Sequence, residues 1–291
     1  MGISYIKPKL LLSVNRSSCG TTSLYHTVWN SKYAHGGIVK ESQYLYKIQS
    51  PYWQRKIDTY NKNKPWSEVR IVKPWSIPKD VFRTSLDEET INDYFRNEEK
   101  SLEKYIKYYL RLWETVKDDF QSVADFSNMN GELTEEFLMS IKDELVNNFD
   151  IKVIMIFRDP IRRLWSICNR RSGWENVTPE SLLEKYTDVN YNPIKHPYIR
   201  YVDMYERHVK VWGKEKVKFI ISEDFFKGET QSLSNFLKFD ILPPVIKSDK
   251  TYSMKYDIDS ETWKYAYKKF KWLYDEFENT FGFIPDAWID A

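Results

Sequence analysis

The residues best suited to chemistry lie in two short stretches, each an apolar run that ends in cations or hydroxyls. Ile151 to Arg171 reads IKVIMIFRDPIRRLWSICNRR. Val153 to Phe157 suits a strand covered on both faces, Asp159 a helix N-cap and Pro160 a first helical residue. Arg158 then stands at the carboxyl edge of a sheet. Helical spacing puts Arg162, Ser166 and Arg170 on one stripe, so a hydroxyl and guanidinium groups can face the same phosphate-like anion. A solvated helix face would carry the same residues, and the weight therefore falls on the second stretch.

That stretch is Leu10 to Tyr25, LLLSVNRSSCGTTSLY. A short apolar strand runs into Asn15, Arg16, Ser17, Ser18, Cys19 and Gly20, after which Thr21, Thr22 and Ser23 open an amphipathic helix whose Leu24 and Val28 face a core. Small residues let backbone N–H groups approach an anion, and the helix N-terminus adds partial positive charge and hydroxyl donors. An ordinary capped turn would look alike. A nucleoside triphosphate loop of the form G-x-x-x-x-G-K-[ST] lacks both its first Gly and its Lys here, which disfavours a magnesium-dependent kinase or ATPase.

The pair of segments resembles the two cofactor-binding motifs of sulfotransferases that use 3′-phosphoadenosine 5′-phosphosulfate. Gly20-Thr21-Thr22-Ser23-Leu24 is similar to the family's K-x-G-T-T loop, which holds the 5′-phosphosulfate, and Arg158 with Ser166 to its R-x7-S, which holds the 3′-phosphate. Two more segments resemble the carbohydrate (heparan-sulfate-type) branch. Lys40-Glu41-Ser42-Gln43-Tyr44 is similar to K-E-x-x-[FY], which carries a catalytic glutamate, and Ala124-Asp125-Phe126-Ser127-Asn128 to G-E-K-[ST]-P. Glu223-Asp224-Phe225 after an apolar strand resembles the family's E-D-[FL], and Met254 to Gly282 its closing helix. The likeness implies a P-loop-like three-layer α/β fold and sulfuryl transfer to a hydroxyl or amine, with a carbohydrate as the expected acceptor and no required metal. It further implies that Ser17, Ser18, Cys19, Gly20, Thr21, Thr22, Ser23, Arg158 and Ser166 hold the cofactor, with Glu41 as base, Asp125 as reserve base and Arg16 as electrostatic partner. The family's loop lysine falls at Ser18, and that of its G-E-K segment at Phe126, so either Arg16 curls back over the loop or another cation substitutes, with Lys40 the next candidate.

Length and charge agree with a single domain over residues 1–291. At 42% hydrophobic content the chain can bury a large core, and no linker or composition step divides it. With 44 basic against 42 acidic residues there is no global pull on nucleic acid, so anion binding must be local. Cys19 and Cys168 are too few for a disulfide framework and fit a reduced cytoplasmic setting. The four histidines are scattered and no cluster has metal-ligand spacing. The five-residue apolar run near the start is too short for a signal peptide or a span, and a soluble protein is expected.

To position the two anion sites, strands are expected near Lys9 to Asn15, Ser122 to Phe126, Lys152 to Phe157 and Val217 to Ser222, each followed by helical sequence. That pattern predicts a mainly parallel sheet with helices on both faces and ligands at the strands' carboxyl ends. Helices are expected over Glu88 to Val116, with a stripe of Tyr94, Tyr105, Tyr108, Leu112 and Val116, and over Thr134 to Asn147. Residues 44–78 mix Tyr and Trp with Lys, Arg and Pro, a composition that suits a sugar-stacking insertion on the acceptor side. The loop Ser172 to Pro197 is expected as a second wall. Two other functions would explain part of this pattern: a small-molecule kinase using ATP, or a non-catalytic glycan-binding protein with the same fold.

Overall fold

The computed structural model describes residues 7–15, 18–37, 40, 42–50, 86, 88–95, 99–175, 177–187, 200–245 and 258–289. Among them, β1 (Lys9–Ser13), β2 (Ala34–His35), β3 (Ser122–Asp125), β4 (Asp150–Phe157) and β5 (Val217–Ile221) form one sheet. Its order is β2-β3-β1-β4-β5 and every pairing is parallel, with Leu12 beside both Asp125 and Val153 and Phe157 beside Ile221. Val153 to Phe157 are all fully buried, which explains a strand of five consecutive apolar residues with no alternation. The expected α/β architecture is present.

Helices flank the sheet: α1 (Thr21–Asn30), α2 (Tyr44–Gln49), α3 (Glu88–Phe95), α4 (Leu102–Val116), α5 (Glu135–Asn148), α6 (Pro160–Glu175), α7 (Pro179–Thr187), α8 (Tyr201–Trp212), α9 (Ser222–Phe226), α10 (Gln231–Leu237), α11 (Ser260–Phe281) and α12 (Asp286–Ile289). Thr134 caps α5 by accepting from the Phe137 amide at 3.3 Å, and the expected stripe of α3 and α4 is buried throughout. Tyr94 lies sandwiched between the rings of Tyr44 and Tyr108, at 4.2 and 3.9 Å between centroids. Tyr44, at the start of the segment assigned to the acceptor side, is thus a core residue; residues 51–78 of that segment lie outside the described residues.

One expectation needs correction, and one strand was not foreseen. Ser172 to Pro197 is not one loop: α6 runs on to Glu175, and α7 follows, its start capped by the Thr178 hydroxyl at 3.2 Å from the Ser181 amide. Leu182, Leu183 and Tyr186 bury one face of α7, and that amphipathic spacing is what makes it a helix; residues 188–199 lie outside the described residues. The edge strand β2 was not expected, because two residues are too few to show a period.

The carboxyl end of β4 is braced by the C-terminal helices. Asp159 accepts from the Arg162 amide at 2.7 Å, capping α6, and from the Tyr274 hydroxyl of α11 at 2.8 Å. Glu223 of α9 accepts from the Asp159 amide at 3.1 Å and from Trp288 Nε1 of α12 at 3.1 Å. Asp159 is fully buried, and loss of solvation pushes its carboxyl up from 3.8 to about 6 against the pull of those hydrogen bonds. A carboxyl whose value is raised on folding stabilises the fold fully below 3.8, and that contribution is lost as pH rises through about 6. Comparing urea unfolding of the wild type with Asp159→Asn across that interval, we expect the wild type to lose about 3 kcal/mol that the variant keeps. Parallel pH profiles for the two proteins would contradict a carboxyl raised by burial at Asp159.

Candidate active site

Because β1, β3, β4 and β5 run parallel, all release their chains at one edge, and the strand order reverses around β1. A crevice between the exits of β1 and β4 is where ligands of open α/β sheets lie. Both stretches singled out in the sequence meet there. Asn15, just past β1, accepts from the Ile156 amide of β4 at 2.6 Å, and the Val14 amide donates to Ile154 at 2.8 Å. The loop therefore leaves the sheet tied to its neighbour strand.

The loop then turns tightly. Ser18 has φ of 68° and Gly20 φ of 95°, both in the left-handed region. A side chain at Gly20 would also place its Cβ 3.0 Å from the Phe226 ring and 3.3 Å from the Ser222 hydroxyl, so only glycine fits between the loop and α9. Gly20 is the N-cap of α1, and no side-chain cap bond and no first-turn carboxylate competes for the start of that helix. Thr21 is buried, Ser23 half-buried and Thr22 exposed. Backbone amides, three hydroxyls and a helix N-terminus here form a donor set that fits an anion.

Arg158 reaches across to this loop. Its Nη1 donates to the Ser18 carbonyl at 3.1 Å, so the guanidinium expected at the second anion site touches the first. Its remaining N–H groups are enough to hold a further acceptor. On α6, Arg162 and Ser166 are half-buried and Arg170 exposed, while Ile161, Leu164, Trp165 and Cys168 face the core; the polar stripe is arranged as the spacing predicts. Cys19 and Cys168 are buried free thiols.

The segment after β2 comes to the same edge. Lys40 Nζ donates to the Thr21 hydroxyl at 3.4 Å. Next along, the Gln43 amide donates to the Ser127 hydroxyl at 2.9 Å, and the Ser42 and Ser127 hydroxyls lie 3.3 Å apart. Ser127 is held in turn through its amide, 2.9 Å from Asp125 Oδ1. Asp125 is 1% exposed, its other oxygen accepts from the Tyr105 hydroxyl at 3.0 Å, and burial raises its pKa. A carboxylate so enclosed is suited to holding the β3 exit, not to meeting a substrate. Phe126 is buried edge-on to Tyr25 at 5.2 Å, which accounts for an apolar residue at the G-E-K-like lysine position.

Arg16, Ser17 and Glu41 lie outside the described residues. Four residues at this edge escaped sequence reasoning in their present roles: Tyr201, Glu223, Tyr274 and Trp288. Glu223 stood out only as part of an acidic pair after a strand, and the other three carried no local mark. Among the described residues no group of three or more His, Cys, Asp or Glu could hold a metal ion. His35 and His208 are packed residues: His35 lies between Trp29 and Phe120, and burial lowers its pKa to about 3. No helix among the described residues is long and apolar enough to cross a membrane.

No protein-family model matches the chain, and no curated protein matches it significantly. Among solved structures, the chain is similar to a sulfotransferase from Alicyclobacillus acidocaldarius, with a TM-score of 0.58 and 19% identity over 98% of this chain and 99% of that one. At that identity the likeness is one of fold: this chain has the α/β architecture of that sulfotransferase, over nearly the full length of both.

Proposed function

We propose that the protein is a sulfotransferase that moves a sulfuryl group from 3′-phosphoadenosine 5′-phosphosulfate to a hydroxyl or amine of an acceptor, with a carbohydrate as the acceptor class. The observation that carries this reading is the 3.1 Å bond from the Arg158 guanidinium to the Ser18 carbonyl, by which the two stretches read as anion sites touch each other. The sulfotransferase-like fold supports it. So does the composition of residues 44–78, where aromatic faces beside cations suit a polyhydroxylated ligand.

When bound, the donor supplies a sulfuryl group already activated on a 5′-phosphate, so that transfer to the acceptor leaves adenosine 3′,5′-bisphosphate. The protein's own part is to hold, neutralise and deprotonate. Amides of Gly20 to Ser23 and the hydroxyls of Thr21, Thr22 and Ser23 bind the 5′ end and stabilise charge that grows on the bridging oxygen. Ser17, Ser18 and Cys19 shape that loop. Arg158 and Ser166 bind the 3′-phosphate, Arg158 as a charged donor whose fork matches phosphate oxygens. Arg16 adds positive charge beside the loop. Glu41 takes the acceptor's proton, and its neighbours on either side, Lys40 and Ser42, are themselves bound to Thr21 and Ser127. Asp125 acts at one remove, as a positioning residue under Ser127.

Transfer of labelled sulfate from the donor to a panel of glycans and polyhydroxylated acceptors tests the proposal. Incorporation into at least one acceptor is the expected result; none, with calorimetric binding of ATP and magnesium instead, would contradict it. In the same assay Glu41→Gln should slow turnover by roughly a hundredfold or more while leaving nucleotide affinity unchanged. Arg158→Ala should weaken binding of adenosine 3′,5′-bisphosphate by about 2 to 4 kcal/mol in titration calorimetry, and undiminished affinity would remove Arg158 from the site.

A further inference from the structure

We propose that Tyr201 is the clamp that fixes the distance between the two anion loops, and so is a positioning residue for a ligand with phosphate at both ends. This inference rests on the bisphosphate reading above. Tyr201 opens α8, is 4% exposed and stacks on Phe157, the last residue of β4, at 4.5 Å between ring centroids. Its hydroxyl donates to the Arg158 carbonyl at 2.9 Å and lies 3.4 Å from the Arg158 amide, which donates back to it. The same oxygen is 3.5 Å from Cys19 Sγ, in the middle of the first loop. A phenol hydroxyl has one proton to give and two lone pairs, so with Arg158 O taking the proton, the thiol is left as the donor to Tyr201.

One oxygen thus joins the exits of two strands. Because it grips Arg158 through the main chain at both its amide and its carbonyl, it sets the point from which the guanidinium departs, and the guanidinium then returns to Ser18 beside Cys19. Ser18, Cys19, Tyr201 and Arg158 form a closed ring of contacts across the crevice. Filling this space with an aromatic ring would need only phenylalanine; the hydroxyl is what couples the loops. A ligand that engages one loop does not sense their separation. One that engages both does, since preorganised spacing spares it the cost of ordering the site on binding.

The test is calorimetry with adenosine 3′,5′-bisphosphate and with adenosine 5′-monophosphate, on wild type, Tyr201→Phe, Arg158→Ala and the double variant. The wild type should prefer the bisphosphate. Tyr201→Phe should lose about tenfold or more in bisphosphate affinity and less than about threefold for the monophosphate, and should cost nothing further once Arg158 is alanine, as expected of two residues acting as a unit. An unchanged preference in Tyr201→Phe, or an equal loss for both nucleotides that persists in the Arg158→Ala background, would overturn the clamp. If Tyr201→Phe fails to fold, Cys19→Ala keeps the ring and its bonds to Arg158 while cutting the link to the first loop; it should reduce the preference by about threefold, and no reduction would overturn the clamp as well. A wild type that binds both nucleotides alike would instead overturn the bisphosphate reading itself, a failure seen before any substitution is made.

Discussion

A parallel sheet has one property that everything else in this protein depends on: every strand must release its chain at the same edge. In this fold the edge gathers a glycine-pivoted loop from β1, an arginine from β4, a capped carboxylate from β3 and an acidic turn from β5. None of these is an anion site alone. The bond from the Arg158 guanidinium to the Ser18 carbonyl shows that the first two are within one side chain's reach, and the Asn15 bridge to Ile156 shows that the closeness begins in the sheet. Convergence is a consequence of topology, and the side chains refine it.

The second layer of construction is burial around those exits. Asp159 and Asp125 are carboxylates removed from water, a state that costs several kcal/mol unless hydrogen bonds offset it. Each is offset by a backbone amide and a tyrosine hydroxyl: Arg162 and Tyr274 for Asp159, Ser127 and Tyr105 for Asp125. Such networks hold a single geometry because any displacement leaves a buried oxygen unpaired. It follows that α4, the helix just before β3, and α11, more than a hundred residues beyond β4, belong to the mechanical support of these strand exits.

How much of this was legible in the sequence follows from the range of the forces involved. Strands β1 and β4 were legible because burial on both faces writes a contiguous apolar run, and the Asp159-Pro160 start of α6 because capping is local. β2 was not, being too short for a period. The helix α7 was read as part of a loop, although Thr178 and Pro179 are a local helix start. The turn at Gly20, the place of Arg158 just past β4 and the polar stripe that carries Ser166 were legible through turn chemistry and spacing, as positions in the fold. Tyr201, Tyr274 and Trp288 were not, because their partners lie far away in the chain and a buried tyrosine looks the same in sequence whether or not its hydroxyl is bound. Phe126 stands where the resemblance led one to expect a lysine, and its contact with Tyr25 supplies the packing reason.

The central claim is that two loops from different strands grip opposite ends of one doubly phosphorylated adenosine. A crystal structure of the protein with adenosine 3′,5′-bisphosphate tests it most directly. The account predicts the 5′-phosphate on the amides of Gly20 to Ser23 and the 3′-phosphate on Arg158 and Ser166. A nucleotide bound elsewhere, or with its 3′-phosphate turned away from Arg158, would contradict it.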